Sequence, residues 1–546
     1  MDVGVAYYPE HEEKSQWSVD LQHMKGAGIE YVRIAEFAWT VMEPSEGGYQ
    51  WQWLDDFIEL AQLYHIGVVL CTPTACPPVW LVEKYPDILP VHKSGEIVSF
   101  GARQHRSYYS ENYWKYSAAI VEAMAQRYGK HPNVIAWQLD NEFAGETKFD
   151  YSEGAKQAFH QYLKERYNTI EELNQSWGTT FWSQRYERFD QIPLPKPIQS
   201  DVRMWQHPSL ELTFAQFSSQ GIVKYSNMQA DILRKYIEQR PITTNVFMFR
   251  WGDSLDWYQL FQQLDVVGMD IYSDKDYEIA FYCDACTAVL QRPFWMMEFG
   301  TGDVNLYEHM QLASKHHCDK FFLFKYKPFP WGQEQGNGQP ELMTITGQPA
   351  ASYQKVKLFT DEANRIMTSR ITTDHNGKNR IGLYYDFNSS WAYRISVSNG
   401  VSYADGIVDT IYKALYNIDA KIDIMFHPSM IKQQRCIILY RQWIYNRELE
   451  AALIHYVQQG GMLIATSDLF RKNEDNVFLT SVPSIYREVF GWKDNDFIYE
   501  EEELVVQQHT NENGGAGILV KSSVSYEDWS NWLENELLQD KTASHL

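Results

Sequence analysis

V-I-A-W-Q-L-D-N-E-F, Val134 to Phe143, opens as a short, nearly uninterrupted apolar run and stops abruptly at Asp140, Asn141 and Glu142. A run of that length and character suits a strand buried on both faces, as in a parallel sheet. A carboxylate at its end stands at the mouth of a core. Taken alone, such a triplet describes a core strand running into a solvated loop. A second strand end of the same kind gives it weight: in P-F-W-M-M-E-F-G, Glu298 follows Pro293 to Met297.

Working outward, apolar runs alternate with longer amphipathic ones over the first two thirds of the chain. Strands are expected at Val3–Tyr7, Tyr31–Ala35, Gly67–Cys71, Val134–Leu139, Ile242–Val246, Val266–Asp270, Phe294–Met297 and Phe321–Phe324. Helical spacing appears between them at Trp17–Ala27, Trp53–Tyr64, Asn112–Tyr128, Phe217–Glu238 and Leu306–His316. Eightfold strand–helix alternation predicts an α/β fold, a (β/α)8 TIM barrel whose chemistry sits on the loops at one face. On this count Glu142 ends the fourth strand and Glu298 the seventh, on opposite sides of the barrel. Insertions at Pro77–Ser110 and Phe143–Leu212 are long enough to act as lids or subunit contacts.

T-S-R-I-T-T-D-H-N-G-K-N-R, residues 368–380, has no apolar periodicity. The expected organisation is a barrel over 1–370, a linker over 371–379, an open-sheet α/β domain over 380–492 and a short acidic segment over 493–546 that forms a strand pair and helix or stays partly disordered. Cys436 precedes a strand rather than sitting at a strand–helix elbow, which argues against a second, amidotransferase-like enzyme in this domain.

Composition narrows the function. The net charge of −23 disfavours nucleic acid or an anionic membrane as partner, because both need clustered Lys and Arg. No run is long enough to span a bilayer and the first residues lack a signal-peptide pattern, so a cytoplasmic protein is expected. The six cysteines form no disulfide framework, and Cys283-Asp-Ala-Cys286 lacks the two further ligands a zinc site needs. Aromatic residues, 19 Trp, 36 Tyr and 27 Phe, favour stacking on sugar faces.

Two carboxyls at opposed strand ends meet the needs of glycoside cleavage, one donating a proton to the departing oxygen and one acting at the anomeric carbon. A gap of about 5 to 5.5 Å predicts retention through a covalent sugar ester, and about 6.5 to 9.5 Å predicts inversion. Asn141 is placed to donate to a sugar hydroxyl. Arg33 and Tyr272 are candidates to hold the nucleophile, although Arg33 is equally suited to a structural pair with Glu36.

V-R-I-A-E-F-A-W (Val32–Trp39), W-Q-L-D-N-E-F, L-N-Q-S-W-G-T-T-F-W-S (Leu173–Ser183), H-P-S-L (His207–Leu210), M-D-I-Y and M-E-F-G resemble glycoside hydrolase family 42, the clan A β-galactosidases. The resemblance implies retaining exo-hydrolysis of terminal β-D-galactosides with Glu142 as acid/base and Glu298 as nucleophile. It further implies Arg33, Arg103, Asn141, Trp182 and Glu334 as sugar contacts, and a C-terminal α/β domain that assembles trimers.

Several departures qualify it. Where the family often has zinc-binding cysteines this chain reads R-S-Y-Y-S and F-A-G-E-T-K-F-D, so no metal and no other cofactor are expected. Val304-Asn305-Leu306 stands where V-N-W is common, and Asn337 replaces a His in Gly332-Gln-Glu334-Gln-Gly-Asn337. Little chain remains for the family's final β domain. These changes leave open a related sugar, such as an α-L-arabinopyranoside, β-D-fucoside or β-D-glucoside, or a barrel that binds sugar with little hydrolysis. Asn337 remains a candidate contact, and Phe329 and Trp331 in K-P-F-P-W-G are placed on the substrate rim.

Overall fold

The structure is a computed structural model that describes all residues except 197–205, 250–252, 336–338, 367–379, 398–401, 433, 499–502, 524 and 544–546. The chain forms two compact units, one of Met1–Ala158 with Ser218–Ile371 and one of Phe159–Phe217 with Thr372–Leu546. Residues 159–217, most of the second long insertion, therefore pack with the C-terminal part of the chain. The linker expected at 371–379 lies outside the described residues.

In the first unit the strands are β1 (Asp2–Ala6), β2 (Tyr31–Ile34), β3 (Gly67–Cys71), β4 (Val134–Gln138), β5 (Ile242–Thr243), β6 (Asn245–Phe247), β7 (Gly268–Ile271), β8 (Phe294–Phe299) and β9 (Cys318–Leu323). Their order in the sheet is β5-β4-β3-β2-β1-β9-β8-β7-β6, with every pairing parallel. The two ends of this ladder, β5 and β6, are halves of one strand interrupted at Thr244, so the sheet closes on itself as the expected eight-stranded barrel. The fifth strand was expected unbroken from Ile242 to Val246. The break arises because its first half pairs only with β4 and its second half only with β7.

Closure also shows in the interior. Val69 of β3 and Ala136 of β4 pack with Trp295 and Met297 of β8 and Phe322 of β9, strands from opposite arms of the ladder. Apolar side chains filling the barrel make it a packed core rather than a pore. Gly268 is required at the seam, because a Cβ there would lie 2.2 Å from the Thr244 carbonyl oxygen and 2.7 Å from Met297 Cγ.

Glu298 lies inside β8 rather than after it. Register passes from Met269↔Met296 to Asp270↔Glu298, leaving Met297 as the extra residue of a bulge. Such bulges re-aim side chains next to functional sites.

The second unit holds β10 (Arg380–Tyr384), β11 (Lys421–Met425), β12 (Cys436–Leu439), β13 (Met462–Thr466), β14 (Val505–Thr510) and β15 (Ala516–Val520), in the order β11-β10-β12-β13-β15-β14. The sheet is parallel except for the antiparallel edge strand β14. The tail expected as a separate segment from 493 thus supplies two strands of this sheet and the helix Tyr526–Ala543. In the same unit, L-N-Q-S-W-G is a capped helix. The Thr169 hydroxyl accepts from Glu172 N at its start, and Gly178 ends it at φ 67, a left-handed position that suits glycine. Among the described residues no helix is long and apolar enough to cross a membrane.

Candidate active site

The C-terminal ends of the barrel strands bring together carboxylates, arginines and amides that are far apart in sequence. Glu142, Asp270 and Glu298 each offer an oxygen, and these three atoms lie within 4.8 Å of one another. An oxygen of Glu142 thus comes within 4.8 Å of one of Glu298, an approach that matches carboxyl groups about 5 to 5.5 Å apart in a retaining pair.

The surroundings of the two glutamates differ. Glu298 Oε1 meets Arg33 Nη1 at 2.7 Å, and Oε2 accepts from the Tyr272 hydroxyl at 2.6 Å. Both expected holders of Glu298 are therefore in place. Arg33, fully buried, also binds Glu36 Oε1 through Nη2 at 2.7 Å, so it makes the contact with Glu298 and the pair with Glu36 at once. Glu142 Oε2 meets Arg103 Nη2 at 3.1 Å. Burial, and then the charge of Glu298, push the Glu142 carboxyl up to about 7 against the pull of Arg103 and Arg33. Asp270 is fully buried, and burial together with Glu298 and Glu142 pushes its carboxyl well above the usual range.

Asn141 is oriented by its neighbours. Its Oδ1 accepts from Arg33 Nη2 at 3.1 Å and from Asn245 Nδ2 at 3.0 Å, which turns its own Nδ2 toward Glu142 Oε2 at 3.4 Å. Asn245 also donates to Asp270 Oδ2 at 2.6 Å, and its Oδ1 accepts from Glu142 N at 3.0 Å.

The loop after β4 carries unusual backbone. Asp140, Glu142 and Ala144 have φ of 53°, 46° and 63°, left-handed values that residues with a Cβ rarely adopt. The surrounding polar groups fix it. Asp140 Oδ1 pairs with the buried Arg106 at 2.7 Å, and Oδ2 accepts from Thr74 Oγ1 at 2.6 Å. Gln104 Nε2 donates to the carbonyls of Asn141 and Glu142 at 3.0 and 2.9 Å.

Arg103 links further candidates, pairing with Glu146 Oε1 at 2.6 Å and Glu334 Oε1 at 3.6 Å. Phe329 is half-buried, edge-on to Tyr8 with centroids 4.9 Å apart and under Lys325 Nζ at 3.6 Å. Trp331 is exposed, 6.3 Å from the His11 ring. Trp182 belongs to the second unit, where it is 67% exposed at φ 52 and stacks on Phe181. Asn337 lies outside the described residues. Asp270, Asn245, Tyr8 and Gln104 escaped the sequence reading. Asp270 stood within the M-D-I-Y motif and Gln104 beside Arg103, the only signals that could have found them.

Among the described residues the carboxylate trio is the one group of this kind able to hold a metal ion. Arg33 and Arg103 already supply positive charge there. A thiolate zinc site does not fit the stretches after β3 and β4. They are tied by oxygen and nitrogen contacts instead: Ser107 Oγ donates to Asp150 Oδ2, and Val91 N to Asp150 Oδ1 at 3.0 Å. Cys283 and Cys286 are buried free thiols of one helix, both pushed up by burial.

A closed parallel barrel with two acidic side chains opposed at its mouth has the architecture of the barrel glycoside hydrolases. Comparison with known proteins sharpens that class. Residues 6–335 match the family 42 glycoside hydrolases, described as β-galactosidase, and residues 379–541 match the β-galactosidase trimerisation domain. β-Galactosidase BgaH of Haloferax lucentense is 31% identical over 499 residues, covering 85% of this chain and 72% of its own. β-Galactosidase BgaA of Clostridium cellulovorans is 32% identical over 515 residues, covering 90% and 76%. The solved β-galactosidase of the Antarctic haloarchaeon Halorubrum lacusprofundi superposes with a TM-score of 0.88 at 27% identity, covering 99% of this chain and 89% of that one. The chain belongs to glycoside hydrolase family 42 and is a glycoside hydrolase.

Proposed function

We propose that this enzyme removes terminal β-D-galactosyl residues from small galactosides with retention, Glu298 acting as nucleophile and Glu142 as acid/base. The observation that carries the reading is the approach of the two carboxylates to within 4.8 Å, with Glu142 pushed up to about 7. Glu298, held by Arg33 and Tyr272, attacks the anomeric carbon as an anion while Glu142 gives its proton to the departing oxygen. Glu142, now ionised, takes a proton from water, which cleaves the sugar ester and frees Glu298.

Arg103, Asn141 and Glu334 are the proposed hydroxyl contacts, with Phe329 and Trp331 as the rim. Trp182 and Asn337 are proposed as sugar contacts from their sequence motifs alone. The match of residues 379–541 supports a homotrimer.

The test is a panel of nitrophenyl glycosides, galactoside, fucoside, arabinopyranoside and glucoside, against the wild type, Glu298→Ala and Glu142→Ala. The galactoside should be turned over fastest. Glu298→Ala should lose on the order of 10⁴-fold or more, the scale of removing a covalent nucleophile. Glu142→Ala should keep sugar transfer to the enzyme from this activated leaving group and recover turnover with azide, which needs no base. A wild type inactive on every sugar, or a Glu298→Ala variant that retains activity, would refute the proposal.

A further inference from the structure

We propose that Gln104, outside the reacting pair, is a positioning residue that sets the aim of Glu142; the inference rests on Glu142 being the acid/base. Gln104 is fully buried, and its own φ is 58°. Its side-chain amide is spent on the loop after β4. Nε2 donates to the carbonyl oxygens of Asn141 and Glu142, and Oε1 accepts from Glu146 N at 3.0 Å. Its backbone is fixed as well, with N donating to the Ala75 carbonyl at 2.8 Å and O accepting from Thr147 Oγ1 at 3.0 Å. One residue, its backbone fixed to Ala75 and its side chain reaching across, thus ties the loop after β3 to both peptide planes that flank the Glu142 Cα.

Those planes decide where the Glu142 side chain points, because rotating either peptide swings the Cα–Cβ bond. The left-handed φ of 46° at Glu142 is not one a free loop keeps. Gln104 helps hold it by donating to both carbonyls, alongside Gly145 N, which donates to the Glu142 carbonyl at 2.8 Å. Gly145 leaves room for the amide, since a Cβ there would come 3.1 Å from Gln104 Nε2 and 3.0 Å from the Glu142 carbonyl oxygen. Without the amide both carbonyls lose a buried donor, and the loop relaxes toward ordinary backbone angles. Glu142 then keeps its carboxyl and loses its direction toward the departing oxygen.

A group that only aims the acid matters in proportion to how much the leaving group needs a proton. The experiment compares kcat/KM of wild type, Gln104→Glu, Gln104→Met and Glu142→Ala on dinitrophenyl, nitrophenyl and phenyl galactosides, with thermal melting of each. Gln104→Glu preserves shape and replaces the donating NH2 by an acceptor. Both Gln104 variants should lose on the order of 10²-fold on the phenyl galactoside and less than about 3-fold on the dinitrophenyl one, the span a general acid contributes. Equal loss across the series, as general loosening would give, or no loss at all, overturns the proposal. If Glu142→Ala is itself flat across the series, the acid assignment fails. If Glu142→Ala is steep and Gln104→Glu flat, Gln104 alone fails. Thr147→Val, which removes the hydroxyl on the Gln104 carbonyl and keeps the amide, is the mild variant should the Gln104 changes prevent folding. It should show the same selectivity at smaller size, and a flat loss from it also overturns the proposal.

Discussion

Arg33 binds two carboxylates at once, Glu298 at 2.7 Å and Glu36 at 2.7 Å, with all three side chains shielded from water. Two buried acids that share one guanidinium make its removal expensive, since both lose their counter-charge together. Arg33→Met should therefore destabilise the protein by about 3–5 kcal/mol, the cost of breaking a buried pair, visible as a lower denaturant midpoint. Arg103 has the more exposed, tunable role. Because Glu142 must be protonated to act as an acid and its carboxyl is pushed up to about 7 in the free enzyme, kcat/KM should fall as pH rises through that value. Arg103 lowers the Glu142 carboxyl, so Arg103→Met should move this alkaline limb to higher pH. A limb that stays put or moves down in the pH profile would contradict the pairing at 3.1 Å. Glu142 and Glu298 were legible in the sequence because each is a charge that breaks an apolar run. Glu36 was legible too, as the partner of Arg33 three residues earlier, whereas Asn245, Asp270 and Gln104 were harder to see: their partners come from distant parts of the chain, and no local spacing records a hydrogen bond between Asn245 and Asp270.

At the scale of elements, the periodic signal placed the barrel strands well and missed what interrupts them. The apolar run Phe294–Met297 ended, for the sequence reader, at the first charge. The strand continues to Phe299 because the bulge at Met297 lets Glu298 face the mouth without leaving the ladder. Likewise, Ile242 to Val246 reads as one strand, and only the pairing partners reveal the break at Thr244. Helix starts shifted for a related reason: Pro208 opens the helix expected from Phe217, as proline at a first helical position is well suited to do. Gly268 tests the seam. Gly268→Ala forces a methyl against the Thr244 carbonyl and Met297 and should cost about 1–3 kcal/mol of stability, read as a fall in Tm. An unchanged Tm would mean the seam is looser than its 2.2 Å clearance implies.

For the whole molecule, the C-terminal unit owes its legibility to four buried strands with helices between them; the tail forms the expected strand pair and helix, and only its joining the same sheet was hidden, because its strand β14 is partly exposed and polar. In the sheet that strand is an edge, where one face and one backbone side need no cover. With residues 379–541 matching a trimerisation domain, light scattering of the purified protein should give three times the 64.0 kDa chain mass, and a monomer mass would refute the trimer. The central claim, that two glutamates held within 4.8 Å act in succession on one anomeric carbon, is tested most directly by the stereochemistry of the first product. Proton NMR of an aryl β-galactoside reaction, recorded before the freed sugar equilibrates, should show the β-anomer appearing first; the α-anomer appearing first would mean inversion and would contradict the account.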